Sequence, residues 1–382
     1  MLKKSDINYI SKSTQHKLER VYLHREHVGN RLRHVDQMKA VAVLCMVEVH
    51  TAAIIPPEGI TVGHPAAFIA AAFGGMAAPM FITLSGWGIY KSGLRKNNAK
   101  DKNWTKWILS RVCLLFICQI IVNIALNMDR GGRFYWQTPG VLTLLAIASL
   151  LTPIIIMMSN RIRTYMMLIM IVSPLLIGAY SGLEWSWSHR VDSQGVYEWI
   201  ERLLWNGTYP ATPWLGYIFL GSLIFDFQDK PETRDNVIKI GLVITVFSIF
   251  IAIIQKKAWS LTSGNALLTF FPASLLFLVV SGTVVVLIMK ILEGDEISGG
   301  KAKFSERLSS LEAVGRITLT IYVVHFIILG IAALLLIDKP RFGLFTAFSI
   351  TIIHTLLWIP LANWHQKNIP NISFENLLRK IN

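Results

Sequence analysis

Ten stretches of this chain are apolar over about 20 residues, the length at which an α-helix crosses the hydrocarbon core of a bilayer. They fall at roughly 35–55, 66–90, 105–127, 139–158, 164–180, 210–226, 236–254, 265–292, 314–336 and 342–364. A helix pairs its backbone groups internally, so runs of this length fold as helices in lipid. The expected class is an all-α, polytopic integral membrane protein of about ten transmembrane helices. Composition agrees: 53% of residues are hydrophobic and 16% charged, against about 25% charged in soluble chains. The longest polar interruptions, 1–34, 181–209 and 293–313, are too short for a second folded domain of ordinary size. The expected division is a basic N-terminal segment (1–34), one membrane domain (35–364) and a C-terminal tail (365–382).

The net charge is +14. In a soluble protein that balance would suggest nucleic acid. Here its distribution fits the positive-inside rule instead, and no nucleic-acid partner is expected. With the N-terminus inside and one crossing per window, inner segments hold 25 Lys and Arg residues and outer loops hold 8. Both termini are therefore expected in the cytoplasm, and the protein in the cell membrane in contact with its lipids. The first 34 residues contain no short apolar core, so no cleavable signal peptide is expected. Cys45, Cys113 and Cys118 lie in apolar stretches without metal-ligand spacing, so no metal site is expected. Segment 181–209 carries Trp185, Trp187, Tyr197, Trp199 and Trp205. It reads equally as an interfacial aromatic belt, with a short helix near 196–205, or as an ordinary structured outer loop.

Ionisable groups inside spans are costly and call for a reason. The first span opens on Asp36 and Lys39 and closes on Glu48 and His50. Eleven positions separate Lys39 from His50. That is about three helical turns, so the two share a face about 16 Å apart along the axis. Asp36 lies on the same stripe; Glu48 points to the opposite side. His50 reads either as an interfacial histidine satisfied by a carbonyl or as a general base, since neutral imidazole accepts a proton near pH 7. His64 stands directly before Pro65 and the second span, where it reads most simply as a residue opening that helix. Pro79, Ser85 and Gly86 sit in a run of small residues that suits close helix packing around a cavity. Arg111 sits near the inner end of the third span, where it can snorkel or meet an anion. His325 and His354 lie well inside the last two spans.

These residues together resemble the membrane acyltransferases, which include the acyltransferase-3 and heparan-α-glucosaminide N-acetyltransferase-like families. The stretch from Arg33 to Ala40, ending in His50, is similar to their first span; the acyltransferase-3 pair of an Arg and a His with ten residues between them corresponds to Lys39 and His50. Residues 79–86 (PMFITLSG) resemble the second-span Phe-x-x-Leu-Ser-Gly pattern, and Arg111 matches a basic residue in the third. Pro213-Trp214-Leu215-Gly216 with Gly221 looks like a pattern of the glucosaminide branch. Residues 315–325 (GRITLTIYVVH) resemble the late Gly-Arg-x-Ser-Leu-x-x-Tyr-x-x-His segment, which brings in Arg316, Tyr322 and His325. Residues 374–379 resemble a C-terminal element that lacks here its Pro. Lys39 stands where the families carry Arg, and Lys offers no bidentate fork.

The resemblance implies an acetyl-CoA-dependent O- or N-acetyltransferase acting on a carbohydrate or lipid-linked acceptor. His50, His64 and Glu48 are then the catalytic candidates. Asp36, Lys39, Arg111, Ser85, Arg316, Tyr322 and His325 are the donor- and substrate-binding candidates. A basic inner rim including Lys106, Arg111 and Arg33 would suit the donor's phosphates. An acetyl-histidine on His50 or His64 is the covalent alternative to direct transfer. A homodimer is compatible with this reading. The rival functions are a proton-coupled transporter or lipid flippase using the same buried groups, and a noncatalytic membrane scaffold.

Overall fold

The computed structural model describes residues 32–60, 64–98, 103–228, 230–294 and 306–381. The chain separates into two units, Met1–Arg33 and His34–Asn382. The second is a helical bundle, and the first falls almost wholly outside the described residues.

Every apolar window carries helix. The order is α1 (Arg33–Ile54), α2 (Pro65–Asn98), α3 (Trp104–Ala125), α4 (Val141–Leu150), α5 (Thr152–Met157), α6 (Asn160–Ile177), α7 (Trp187–Val191), α8 (Gly195–Glu201) and α9 (Ala211–Asp226). There follow α10 (Pro231–Ile254), α11 (Leu275–Glu293), α12 (Glu312–Arg316), α13 (Thr318–Leu336), α14 (Leu344–Asn368) and α15 (Phe374–Ile381). Among the described residues, eight helices are long and apolar enough to cross a membrane. The other two windows differ from the expectation of full-length spans. Window 139–158 breaks at Leu151 into α4 and α5, with Pro153 in the first turn of α5. Window 210–226 yields the 16-residue α9. Both α4 and α9 are almost entirely buried. Protein rather than lipid surrounds most of each helix, so neither needs the full thickness of the bilayer. The expected span at 265–292 also begins late: Ala258–Leu261 and Ala266–Thr269 pair as two short parallel strands before α11.

Apolar faces divide the helices into inner and outer sets. α6, α10 and α14 expose most of their apolar side chains, Leu176, Val243 and Phe345 among them, as lipid-facing helices do. The interior is built by close approach. A Cβ on Gly86 would lie 2.4 Å from the Ile218 carbonyl oxygen, and one on Gly221 would lie 2.0 Å from that of Thr83. Glycine at both positions lets α2 and α9 cross backbone to backbone, the small-residue packing that lipid favours. On the other side of α1, Val43 and Val47 pack with Val314, Ile321 and Trp358. One buried cation has its own charge partner: Arg163 pairs with Asp226, donates to the Ser222 carbonyl at 3.2 Å, and lies 4.2 Å from the Tyr90 ring centre.

The segment between α6 and α9 is folded rather than loosely laid on the bundle. Trp187 and Trp199 donate to the carbonyls of Arg133 (2.7 Å) and Gln137 (2.8 Å). Arg190 is buried and donates to the carbonyls of Ser181, Asn206 and Gly207. Burial, with Arg202 nearby, brings its guanidinium down to about 10, so it stays cationic at neutral pH. This cap closes one end of the bundle.

Candidate active site

Helix α1 threads two cavities, one at each end of the bundle. The first, about 790 Å³, lies where α1 and α3 begin and α2 ends. Lys39, Arg95, Lys96, Arg111 and Arg379 line it, with Ser85, Trp107 and Glu375. Arg111 is held by a 3.0 Å bond from its Nε to Ser149 Oγ, so its outer nitrogens remain available to the cavity. Five cations against one carboxylate suit a polyanion, and the low-dielectric surroundings strengthen that attraction.

The second cavity, about 160 Å³, lies under the cap. His50, Phe81, Arg133, Trp187, Tyr209 and Tyr322 are among the residues that line it. His50 Nδ1 lies 3.0 Å from His325 Nε2, and the rings stack with centroids 5.4 Å apart and planes within 9°. His325 is fully buried, and its Nδ1 lies 2.9 Å from the Ile321 carbonyl oxygen. A carbonyl only accepts, so His325 Nδ1 carries the hydrogen. In the neutral ring Nε2 then holds a lone pair, and His50 Nδ1 must be the donor to it. That assignment leaves His50 Nε2 as the acceptor nitrogen on a residue lining the cavity, the arrangement a general base requires. Arg133 supplies positive charge to the same cavity, its guanidinium carbon 4.7 Å from the Trp187 ring centre. Burial holds Arg133 below its ordinary value.

Phe81 lines both cavities. It stacks on Tyr322, centroids 6.2 Å apart and planes within 13°. The two rings thus stand at the boundary between the cationic cavity and the histidine cavity.

The other candidates fall into distinct places. Asp36 is buried at the start of α1. Glu48 is half-buried and lines neither cavity; its Oε2 has no hydrogen-bond partner among the described residues. His64 lies outside both cavities, its Nδ1 accepting from the Ala66 amide at 3.2 Å. Arg316 is exposed and faces Glu312 at 3.6 Å. Lys106 is exposed. His354 Nδ1 bonds Thr51 Oγ1 at 2.8 Å. Arg95 and Lys96 of the cationic cavity were not singled out from sequence, nor were the roles of Arg133 and Glu375. Arg133 comes from a loop without motif, and nothing local in its sequence signals the cavity. Glu375 belongs to the recognised tail pattern, yet its role appears only in three dimensions: it accepts from the Thr320 amide at 3.3 Å and Thr320 Oγ1 at 2.7 Å, capping α13.

Comparison with known families decides the class. The profile of the Acyltransferase domain, the acyltransferase-3 family, matches residues 32–364. The chain belongs to the acyltransferase-3 family. It is accordingly a multi-pass membrane acyltransferase, and the matched region runs from the start of α1 into the last turns of α14. No curated protein matches the chain at a significant level. Within the acyltransferase-3 frame, Lys39 and His50 each line a different cavity on one helix.

Proposed function

We propose that this acyltransferase moves an acetyl group from acetyl-CoA, bound from the cytoplasm, to a hydroxyl or amine of a carbohydrate acceptor reached from the opposite side of the cell membrane. The observation that carries the reading is the pair of cavities meeting at Phe81, one cationic and one built around His50. The cationic cavity fits the phosphates of a coenzyme A thioester: Lys39, Arg95, Lys96, Arg111 and Arg379 supply charge, and Trp107 an aromatic face. The thioester supplies an activated acyl carbon.

In this mechanism His50 Nε2 takes the proton of the acceptor as its oxygen or nitrogen bonds to the thioester carbon. The C–S bond breaks, and the proton passes from His50 to the departing thiolate. His325 holds His50 in the required tautomer. Arg133 offsets the negative charge that develops on the carbonyl oxygen, where a fixed cation acts without reorganisation.

The test uses purified protein in liposomes with radiolabelled acetyl-CoA. Wild type transfers label to saccharide acceptors, and His50→Ala loses about 10²–10⁴-fold of the rate while still binding acetyl-CoA. Folded wild type that neither binds acetyl-CoA nor releases its acetyl group would sink the proposal. Label trapped on wild-type protein would instead establish the covalent route.

A further inference from the structure

Helix α2 carries two glycines that neither packing nor backbone conformation explains. A Cβ added to Gly75 or to Gly88 meets no atom within 4 Å among the described residues, and neither residue has a left-handed φ. Gly86 differs, for a Cβ there would strike the Ile218 backbone. Glycine weakens a helix interior relative to alanine, so an unforced glycine calls for a reason. Both unforced glycines line a cavity, Gly88 the cationic one and Gly75 the one around His50. What each supplies there is open volume.

Gly75 stands at the depth of His50. The preceding residue, Gly74, is where α1 and α2 touch: a Cβ on it would lie 2.2 Å from Val49 Cβ. His50 follows Val49, Gly75 follows Gly74, and both line the cavity. From there the cavity continues past Ala53 on α1 and Ala71 on α2, a further turn of about 5 Å away from the cationic cavity. Ala77 and Ala78, both buried, carry the same wall back toward Phe81. The wall from α1 and α2 is thus apolar and built of small side chains. Arg133, Thr208 and Tyr209 bring polar groups to the cavity from the loop after α3 and from the cap. A thioester that reaches His50 past Phe81 lays its acyl chain against the apolar wall, where each methylene gains by leaving water. A hydroxylated acceptor loses hydration on such a surface and is better matched by the polar groups.

We infer that the space beside Gly75 is an acyl-chain pocket. It extends the donor range from acetyl to short straight acyl groups such as butyryl, and Gly75 sets the limit on their length. This rests on the coenzyme A donor reading of the active site. The reaction is the same for each donor. The acceptor oxygen or nitrogen bonds to the acyl carbon, the C–S bond breaks, and the acceptor's proton ends on the coenzyme A sulfur.

The experiment is displacement of radiolabelled acetyl-CoA by unlabelled acetyl-CoA and butyryl-CoA, on the full chain in nanodiscs, and it needs no acceptor. Wild type binds butyryl-CoA about tenfold more tightly than acetyl-CoA, the worth of two buried methylene groups. Gly75→Leu fills the pocket and removes that preference. Ala72→Leu adds the same bulk to an exposed position of α2 outside the cavity and keeps it. Should Gly75→Leu fail to fold, Gly75→Ala, which favours the helix, carries the test by lowering the preference in the same direction. The inference is overturned if wild type binds the two donors equally, if the folded Gly75 variants keep the preference, or if Ala72→Leu loses as much. Binding of acetyl-CoA without preference for butyryl-CoA removes the pocket and leaves the donor reading. Failure to bind either donor removes both.

Discussion

At the scale of single residues, the site turns on one proton. The Ile321 carbonyl fixes the hydrogen of His325, and His325 in turn fixes the hydrogen of His50. A phenyl ring at position 325 fills the space but accepts no hydrogen bond, whereas a glutamine oxygen can accept from His50 Nδ1. His325→Phe is therefore expected to lower kcat by about tenfold or more, the value of one lost hydrogen bond to a reacting group. His325→Gln should recover part of that loss, with the acetyl-CoA KM unchanged in both. Steady-state kinetics on the two variants checks this. Equal losses would mean that His325 acts by packing alone. Arg133 belongs to the same scale: in the proposed mechanism its charge matters because the cavity is small and largely walled by apolar side chains, where screening is weak.

At the scale of elements, the C-terminal helix does more than end the chain. The Glu375 side chain on α15 caps the first turn of α13, and Phe374 returns a 3.0 Å bond from its amide to Thr320 Oγ1. A carboxylate at a helix N-terminus also meets the positive end of its dipole. The same short helix presents Leu378 and Arg379 to the cationic cavity. Removing the cap should thus act on stability and on the donor site together. Glu375→Ala is expected to cost about 1–2 kcal/mol of stability and to raise the acetyl-CoA KM. Thermal unfolding and donor titration test the two halves separately. A variant of unchanged stability would show that the cap bonds are offset by water. The short helices α4 and α9 make a related point, since burial inside the bundle frees them from the length that lipid demands of α6 or α10.

At the scale of the whole molecule, the proposed reaction is sided. The cationic cavity and the histidine cavity sit at opposite ends of the bundle and share Phe81, which stacks on Tyr322. The arrangement lets donor and acceptor be handled from different faces of one membrane. In sealed vesicles, acetyl-CoA should support transfer when supplied on the face carrying Lys39, Arg95 and Arg111, and not on the face carrying Arg133. Transfer from both sides with equal efficiency would contradict a sided donor site. The basic residues of the inner segments predict that the active face is the cytoplasmic one.

The sequence by itself determined the class of this protein. Runs of about 20 apolar residues are local features, and lipid leaves them little choice but helix. The shared face of Lys39 and His50 was likewise legible, because both lie on one helix and 3.6-residue periodicity relates them. The family pattern in residues 33–50, 79–86 and 315–325 was legible too, and the profile match over 32–364 bears it out. Sequence did not determine what meets what across helices. His50 and His325 stand 275 positions apart, and only the packing of α1 on α13 brings their nitrogens within 3.0 Å. Arg133 reaches the cavity from a loop, Glu375 reaches α13 from the tail, and burial is what lets α4 and α9 stay short. Each depends on contacts between segments distant in the chain, and local propensity carries no information about such contacts.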